Sequence, residues 1–234
     1  MAKIIKWLLK GVIKYSLVRK IFFLLSRKAI LKKTYTKKII WRRNAVQINP
    51  LALLINCVFD IVWGDNKIIV GAGTFLSNVT FYIRGNNNHI SIWPNVIFNN
   101  KWALWIEGNN CEINIGKGTT FEDVHIVASE EKSKVVIGED CMFAYDIDIR
   151  SGDSHSILDA NTMKRINHAK DIQIYNKVWV ASHVSILKGV QIQENSVVAT
   201  RSVVTKPFLQ KWVLIWGAPA KILKENIEWV REKI

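Results

Sequence analysis

"KVWVASHVSILKGVQIQENSVVATRSVVTK", residues 177–206, returns to an aliphatic side chain at every sixth position. Counting in sixes from Ile174 gives Val180, Ile186, Ile192, Val198 and Val204. A helix would renew its apolar face at three and four, and a lone strand at two. A period of six fits short strands joined by bends, each turning one large apolar side chain inward. The position four further on is restricted as well: Val178, Val184, Val190, Ser196 and Ser202. Two constrained positions per six residues, held over successive units, mark a solenoid.

Upstream a longer period takes over. "IRGNNNHISI" (83–92) and "IEGNNCEINI" (106–115) are near copies. Each leads into an aliphatic residue with a bulky partner six later. The pairs are Val70 with Leu76, Ile92 with Phe98, Ile115 with Phe121, and Ile137 with Phe143. We read each as one coil of three six-residue faces with a short bulge at a Gly-Asn corner, where positive φ is tolerated. Ile48 with Leu54 repeats the pairing one coil earlier. The count is about six coils. A coil cannot bury its inner face alone, so open ends need caps. Ile222, Leu223, Asn226, Ile227 and Val230 recur at helical spacing after Pro219, which predicts a capping helix over 218–234.

Charge is uneven. The net charge is +14, yet the first 59 residues carry 14 Lys and Arg and no acid. The other 175 carry 19 of each sign. A basic groove for nucleic acid would sit on the body, so this pattern argues for a basic arm. The arm, 1–44, reads as helical and amphipathic, with Lys3, Lys6, Lys10 and Lys14 on one face. No uncharged run approaches the ~20 residues that span a bilayer, and no signal-peptide cleavage pattern is recognisable. Two readings stand for residues 1–38: a helix lying on an anionic membrane surface, or one packing on protein. Cys57, Cys111 and Cys141 are widely spaced and form no CxxC pair, which suits a reducing compartment. The expected location is cytoplasmic, at the inner face of the cell membrane.

The 177–206 stretch followed by "IWGAPAKI" (215–222) resembles the hexapeptide-repeat acyltransferases, in particular the sugar and polysaccharide O-acetyltransferases. The resemblance is strong over 137–228, weak over 45–136 and absent over 1–44. It implies a left-handed parallel β-helix over 45–217, a homotrimer with sites between subunits, and acetyl-CoA as donor. The family often has Gly after the inward aliphatic residue, where this chain has Tyr175, Ala181, Gln193 and Ala199.

The repeat breaks between Ile149 and Ile174. The intervening "RSGDSHSILDANTMKRINHAKD" is polar and too long for a corner, and long loops on rigid scaffolds concentrate function. Asp153 and His155 are two apart, so in extended chain they face one side, and a carboxylate there would orient the imidazole and raise its basicity. "GDSHSI" (152–157) resembles the family's catalytic stretch, which implies His155 as general base for an acceptor hydroxyl. The ordinary alternative is a polar loop histidine. The resemblance further implies that Trp179 lies near the site and that Lys206 and Lys221 face coenzyme phosphates. Ser182 and Thr200 are small enough to let a pantetheine arm lie against the backbone. His168 and His183 are candidates for substrate contact, whereas His89 reads as structural and His125 as buried. Competing readings are N-acetylation of an amino-sugar nucleotide, a metal-dependent hydratase needing three histidines on zinc, and a non-catalytic glycan-binding β-helix. No ligand spacing stands out, so no metal is expected.

Overall fold

The computed structural model describes residues 34–40, 43–100 and 102–234. The basic arm up to Lys33 lies outside them. The rest is a parallel β-solenoid with three faces. Face 1 has eight strands, from Tyr35–Ile39 to Val203–Val204, and face 2 has seven, from Ala45–Ile48 to Gln191–Ile192. Face 3 has nine, from Leu53–Ile55 to Ala220–Lys224. The chain visits the faces in turn, and about eight turns result, two more than the sequence period suggested. The first added turn opens at Tyr35–Ile39, inside the segment read as helical arm. This strand pairs along its length with Cys57–Val62, because a sheet edge offers unpaired N–H and C=O groups that an adjacent extended segment satisfies.

The period itself holds. Ile174, Val180, Ile186, Ile192, Val198 and Val204 are all fully buried, as are Val178, Ser196 and Ser202. The aliphatic starts of the long coils stack into one column: Ile48, Val70, Ile92, Ile115, Ile137, Ile174 and Ile192. Their partners form another, in which Phe98, Phe121 and Phe143 stack face to face with ring centroids 4.3 and 4.7 Å apart. The extra residues of the long coils do not sit mainly in a corner bulge. They lengthen face 1, whose strands run six residues at Val79–Arg84 and Val124–Ser129 but two at Ser185–Ile186, and face 2, with four at Glu112–Ile115 but two at Gln191–Ile192.

Corners are turned by residues with positive φ. Asn56, Asn78, Asn110 and Asp140 adopt it, and so does Gly85 at φ 140°. At Gly85 no Cβ is possible, since it would come within 1.8 Å of the Gly108 carbonyl of the next coil. Buried amides run beside it. The Asn66 and Asn88 side-chain oxygens accept from the backbone N–H of Asn88 and Cys111, at 2.9 and 2.8 Å.

The C-terminal helix is not formed. After Gly217, at φ 112°, the chain reverses and Ala220–Lys224 pairs antiparallel with Leu214–Gly217. That strand closes the sheet edge, and edge pairing wins over helical spacing because Ile222, Leu223 and Val230 find no apolar surface there and stay exposed. The tail then doubles back over the coils. Trp229 is 5% exposed and donates from Nε1 to the Lys177 carbonyl at 2.9 Å. Arg231 donates to Thr120 Oγ1 at 2.9 Å, Asp140 Oδ1 at 3.0 Å and the Cys141 carbonyl at 2.9 Å.

The aromatic column gives a direct stability test. Phe121→Ala empties a fully buried site between two stacked rings and should cost about 3–5 kcal/mol in denaturant unfolding. A loss under about 1 kcal/mol would show that the column is not close-packed.

Candidate active site

The 150–171 segment leaves face 1 after Ile147–Arg150 and rejoins face 2 at Ile172–Ile174. Gly152 lets it leave tightly, for a Cβ there would come within 2.5 Å of Ser129 Oγ on the preceding coil. The segment folds on itself as a short hairpin. Leu158 and Arg165 bridge, the Ile166 N–H donates to the Ile157 carbonyl, and the Asp159 carboxylate caps the turn through Thr162.

Asp153 and His155 do not form a carboxylate–imidazole pair. Ser154, at φ 65°, puts a tight turn between them, closed by a 2.8 Å bond from the His155 N–H to the Asp153 carbonyl. The chain is therefore not extended there. The Asp153 carboxylate instead accepts from Lys188 Nζ, one coil on, and from Asn167 Nδ2 at 2.9 Å. The Lys188 ammonium, with Asn167 and Arg165 behind it, holds the Asp153 carboxyl below the usual range. His155 is exposed, and among the described residues its ring has no hydrogen-bond partner.

Three residues that the sequence did not flag build the loop. Asn167 is 7% exposed amid exposed neighbours. Its Oδ1 accepts from the Ile157 N–H at 2.7 Å, and its Nδ2 donates to the His155 carbonyl at 2.7 Å. Arg165 grips Glu130 of the preceding coil with both Nη atoms. Burial works to raise the Glu130 carboxyl, but the Arg165 hydrogen bonds and charge hold it lowered. Lys188 also donates to the Asn167 carbonyl at 3.0 Å. One signal was present: Lys170, Lys188 and Lys206 are one 18-residue coil apart, so the fold brings them to the same corner.

The other candidates are dispersed. Lys206 is exposed at that corner, 6.0 Å above the Phe208 ring. His168 is exposed at the loop's end. Trp179 opens a strand of face 3, away from His155, with its ring 6.1 Å from Trp229. Ser182, His183 and Thr200 lie at the corner between faces 3 and 1. There Thr200 Oγ1 donates to the Ser182 carbonyl at 2.8 Å, and His183 Nδ1 meets Asp146 Oδ2 at 2.8 Å. Lys221 lies opposite Trp216 on the last hairpin. His89 is exposed on a face 2 strand. His125 is not buried: the corner after Phe121 is a residue shorter than in the regular coils, so Val124 turns inward and His125 faces out to Asp148 Oδ1 at 3.2 Å. A groove of about 500 Å³, lined by Asn56, Val58, Asn78, Thr80, Asn100 and Asp123, opens at the face 3–face 1 corner, so it is not built from the loop. Among the described residues no three His, Cys, Asp or Glu converge as metal ligands, and no helix is long and apolar enough to cross a membrane.

No family model matches the chain. Over 189 residues it is 34% identical to the polysialic acid O-acetyltransferase of Neisseria meningitidis, covering 81% of this chain and 86% of that protein. The polysialic acid O-acetyltransferase of Escherichia coli O1:K1 is 42% identical over 117 residues, 50% of this chain and 38% of that protein. Two solved structures superpose closely. The polysialic acid O-acetyltransferase OatWY gives a TM-score of 0.79 at 33% identity, covering 86% of this chain and 93% of that one. The polysialic-acid-specific acetyltransferase NeuO gives 0.74 at 32%, covering 86% and 91%.

The clamp on the loop predicts a pH window. Asp153 and Glu130 both titrate below their ordinary values, so their pairing is fully present above the open-loop range of about 4. It is lost only as pH falls through the lower values of the closed loop. Amide protection over 153–167, taken relative to the intrinsic exchange rate at each pH, should stay high from neutral pH down to about 5 and fall below about 4. Loosening between about pH 5 and 7 would mean that these carboxylates do not hold the loop.

Proposed function

The chain belongs to the polysialic acid O-acetyltransferase family of hexapeptide-repeat acetyltransferases, which share a left-handed parallel β-helix, and on that premise we propose that it transfers an acetyl group from acetyl-CoA to a hydroxyl of a sialic-acid-containing surface polysaccharide. The observation that carries the site is His155. Its backbone is fixed on both sides while its imidazole stands exposed and unpartnered among the described residues. In this reading the ring takes the proton from the acceptor hydroxyl as that oxygen attacks the thioester carbonyl, help worth about 10²–10⁴-fold. The proton then goes to the departing thiolate. Lys206 and Lys221, both exposed, suit the coenzyme phosphates as cations. Ser182 and Thr200, at one corner of successive coils, leave room for its arm.

We also propose a homotrimer with shared sites. What supports it is the placement of His155 and Trp179 on different sides of one chain, so that a site using both needs a second copy. The basic arm is read as a membrane-surface anchor, supported by the confinement of the whole net charge to the first 59 residues.

Mass spectrometry of polysialic acid incubated with acetyl-CoA should show added acetyl groups. His155→Ala should lower turnover by about 10²-fold or more with the melting temperature unchanged. Lys206→Ala should raise the KM for acetyl-CoA more than it lowers kcat. Full turnover by a folded His155→Ala protein would assign the base elsewhere. For the arm, deletion of residues 1–33 leaves the first strand whole and should abolish salt-sensitive co-sedimentation with anionic liposomes; equal sedimentation without it would refute the anchor.

A further inference from the structure

We propose that Asn167 and Lys188 are positioning residues for acyl transfer: together they fix the backbone that presents His155, Lys188 tying the loop to the coil above it. This rests on the reading of His155 as the base.

The loop has almost no apolar hold on the scaffold. Ile157, Leu158, Met163 and Ile166 are all exposed, so burial contributes little to its conformation, and polar bonds must set it. Those bonds converge on one short stretch. The Asn167 amide engages residues 153, 155 and 157 in turn: the Asp153 carboxylate at 2.9 Å, the His155 carbonyl at 2.7 Å and the Ile157 N–H at 2.7 Å. Its Oδ1 takes a further bond from Arg165 Nε at 3.1 Å. An amide offers two donors and two acceptor lone pairs, and here every one is used. A different side chain at 167 would leave the His155 carbonyl and the Ile157 N–H without these partners.

Lys188 supplies the fixed point. It lies between Ile186 and Val190, both fully buried in the stack, so its backbone belongs to the rigid part of the molecule. Its ammonium bonds the Asp153 carboxylate and the Asn167 carbonyl at once, closing a ring of side chains around the Asp153–His155 turn. Arg165 and Glu130 bind the far strand of the loop to the coil below. The role first expected of Asp153, orienting the imidazole directly, becomes an indirect one: it is the anchor through which Lys188 holds the turn. A reacting group misplaced by about 1 Å can cost 10²-fold, and the imidazole has no other tether among the described residues.

The test uses the full chain with acetyl-CoA and polysialic acid, measuring kcat, both KM values and thermal melting. Asn167→Ala and Lys188→Met should each lower kcat by about tenfold to a hundredfold, with both KM values within about twofold of wild type. Melting should be unaltered, because neither side chain is in the core. Lys188→Arg keeps a cation in reach and should recover most of the loss. Asp153→Asn combined with Lys188→Met should cost clearly less than the two single losses together, since both break one contact. Should Asn167→Ala fail to fold, the Lys188 series carries the test. Wild-type kcat in Lys188→Met beside an inactive His155→Ala overturns the positioning role alone, as does a rise in KM with kcat unchanged. An active His155→Ala overturns the base and the positioning role together.

Discussion

Hydrogen bonding between successive coils is the constraint on which everything else depends. Parallel strands pair about 4.8 Å apart, so each residue meets its counterpart one coil away at nearly that distance. Every column of the solenoid must therefore tolerate its own repetition. Flat rings do this well, as Phe98, Phe121 and Phe143 show, and so do Phe59 and Phe81 at 4.5 Å. Amides do it by lending an oxygen to the next backbone, as Asn66 and Asn88 do, until Cys111 ends the column. Charges tolerate repetition poorly, and on the outside of face 1 they are interrupted: Arg84 covers the Tyr82 ring and reaches back to Asp60, while Tyr82 stacks on Trp105.

The 150–171 loop escapes this rule without disturbing the stack. Lys134–Ile137 pairs directly with Ile172–Ile174 although 34 residues of chain lie between them. Side chains in the loop need no counterpart above or below, which frees it to carry Asp153, His155 and Arg165 together. The same freedom removes the ladder that holds every other segment. The loop is consequently tied by side chains, to Glu130 below and Lys188 above, and these ties are ionic and partly exposed. Exposed ion pairs contribute little to global stability, about 0–1 kcal/mol each, so their effect falls on the geometry of the loop and not on the fold.

The same constraint explains what could be read from the residues. Inward positions recur because the core selects for them, and Ile174 to Val204 announced the coil in steps of six. Ser196 and Ser202 were legible as restricted positions for the same reason, and Ser202 Oγ bonds the Ala199 carbonyl. The first and last turns were not legible, because an end coil has a neighbour on one side only and its pattern decays into surface. Tyr35–Ile39 is largely exposed, and its lysines read as an arm. Ile222, Leu223 and Val230 fell at helical spacing by coincidence, since spacing carries information only where a face is buried. In the loop, His155 was legible as a candidate from the resemblance of its motif. Its supports were not, because Asn167 and Lys188 are distant in sequence from what they hold and neither residue type is unusual in a loop or at a corner.

A solenoid is convex all round, and this limits how one chain can assemble a site. His155 stands at the corner between faces 1 and 2. Trp179 belongs to face 3, and Ser182, His183 and Thr200 to the corner between faces 3 and 1. The columns fix Trp179, Ser182, His183 and Thr200 in place, and the ties to Glu130 and Lys188 hold the loop that carries His155 at its own corner. A reaction that used His155 together with the residues of face 3 would need a second copy alongside, its face 3 against the first copy's loop. In the proposed trimer the tail would have a role beyond capping. Trp229 seats beside Trp179, Glu228 pairs with Lys177, and Arg231 clasps Asp140, so the last residues of one chain shape the surface that would meet the loop of the next.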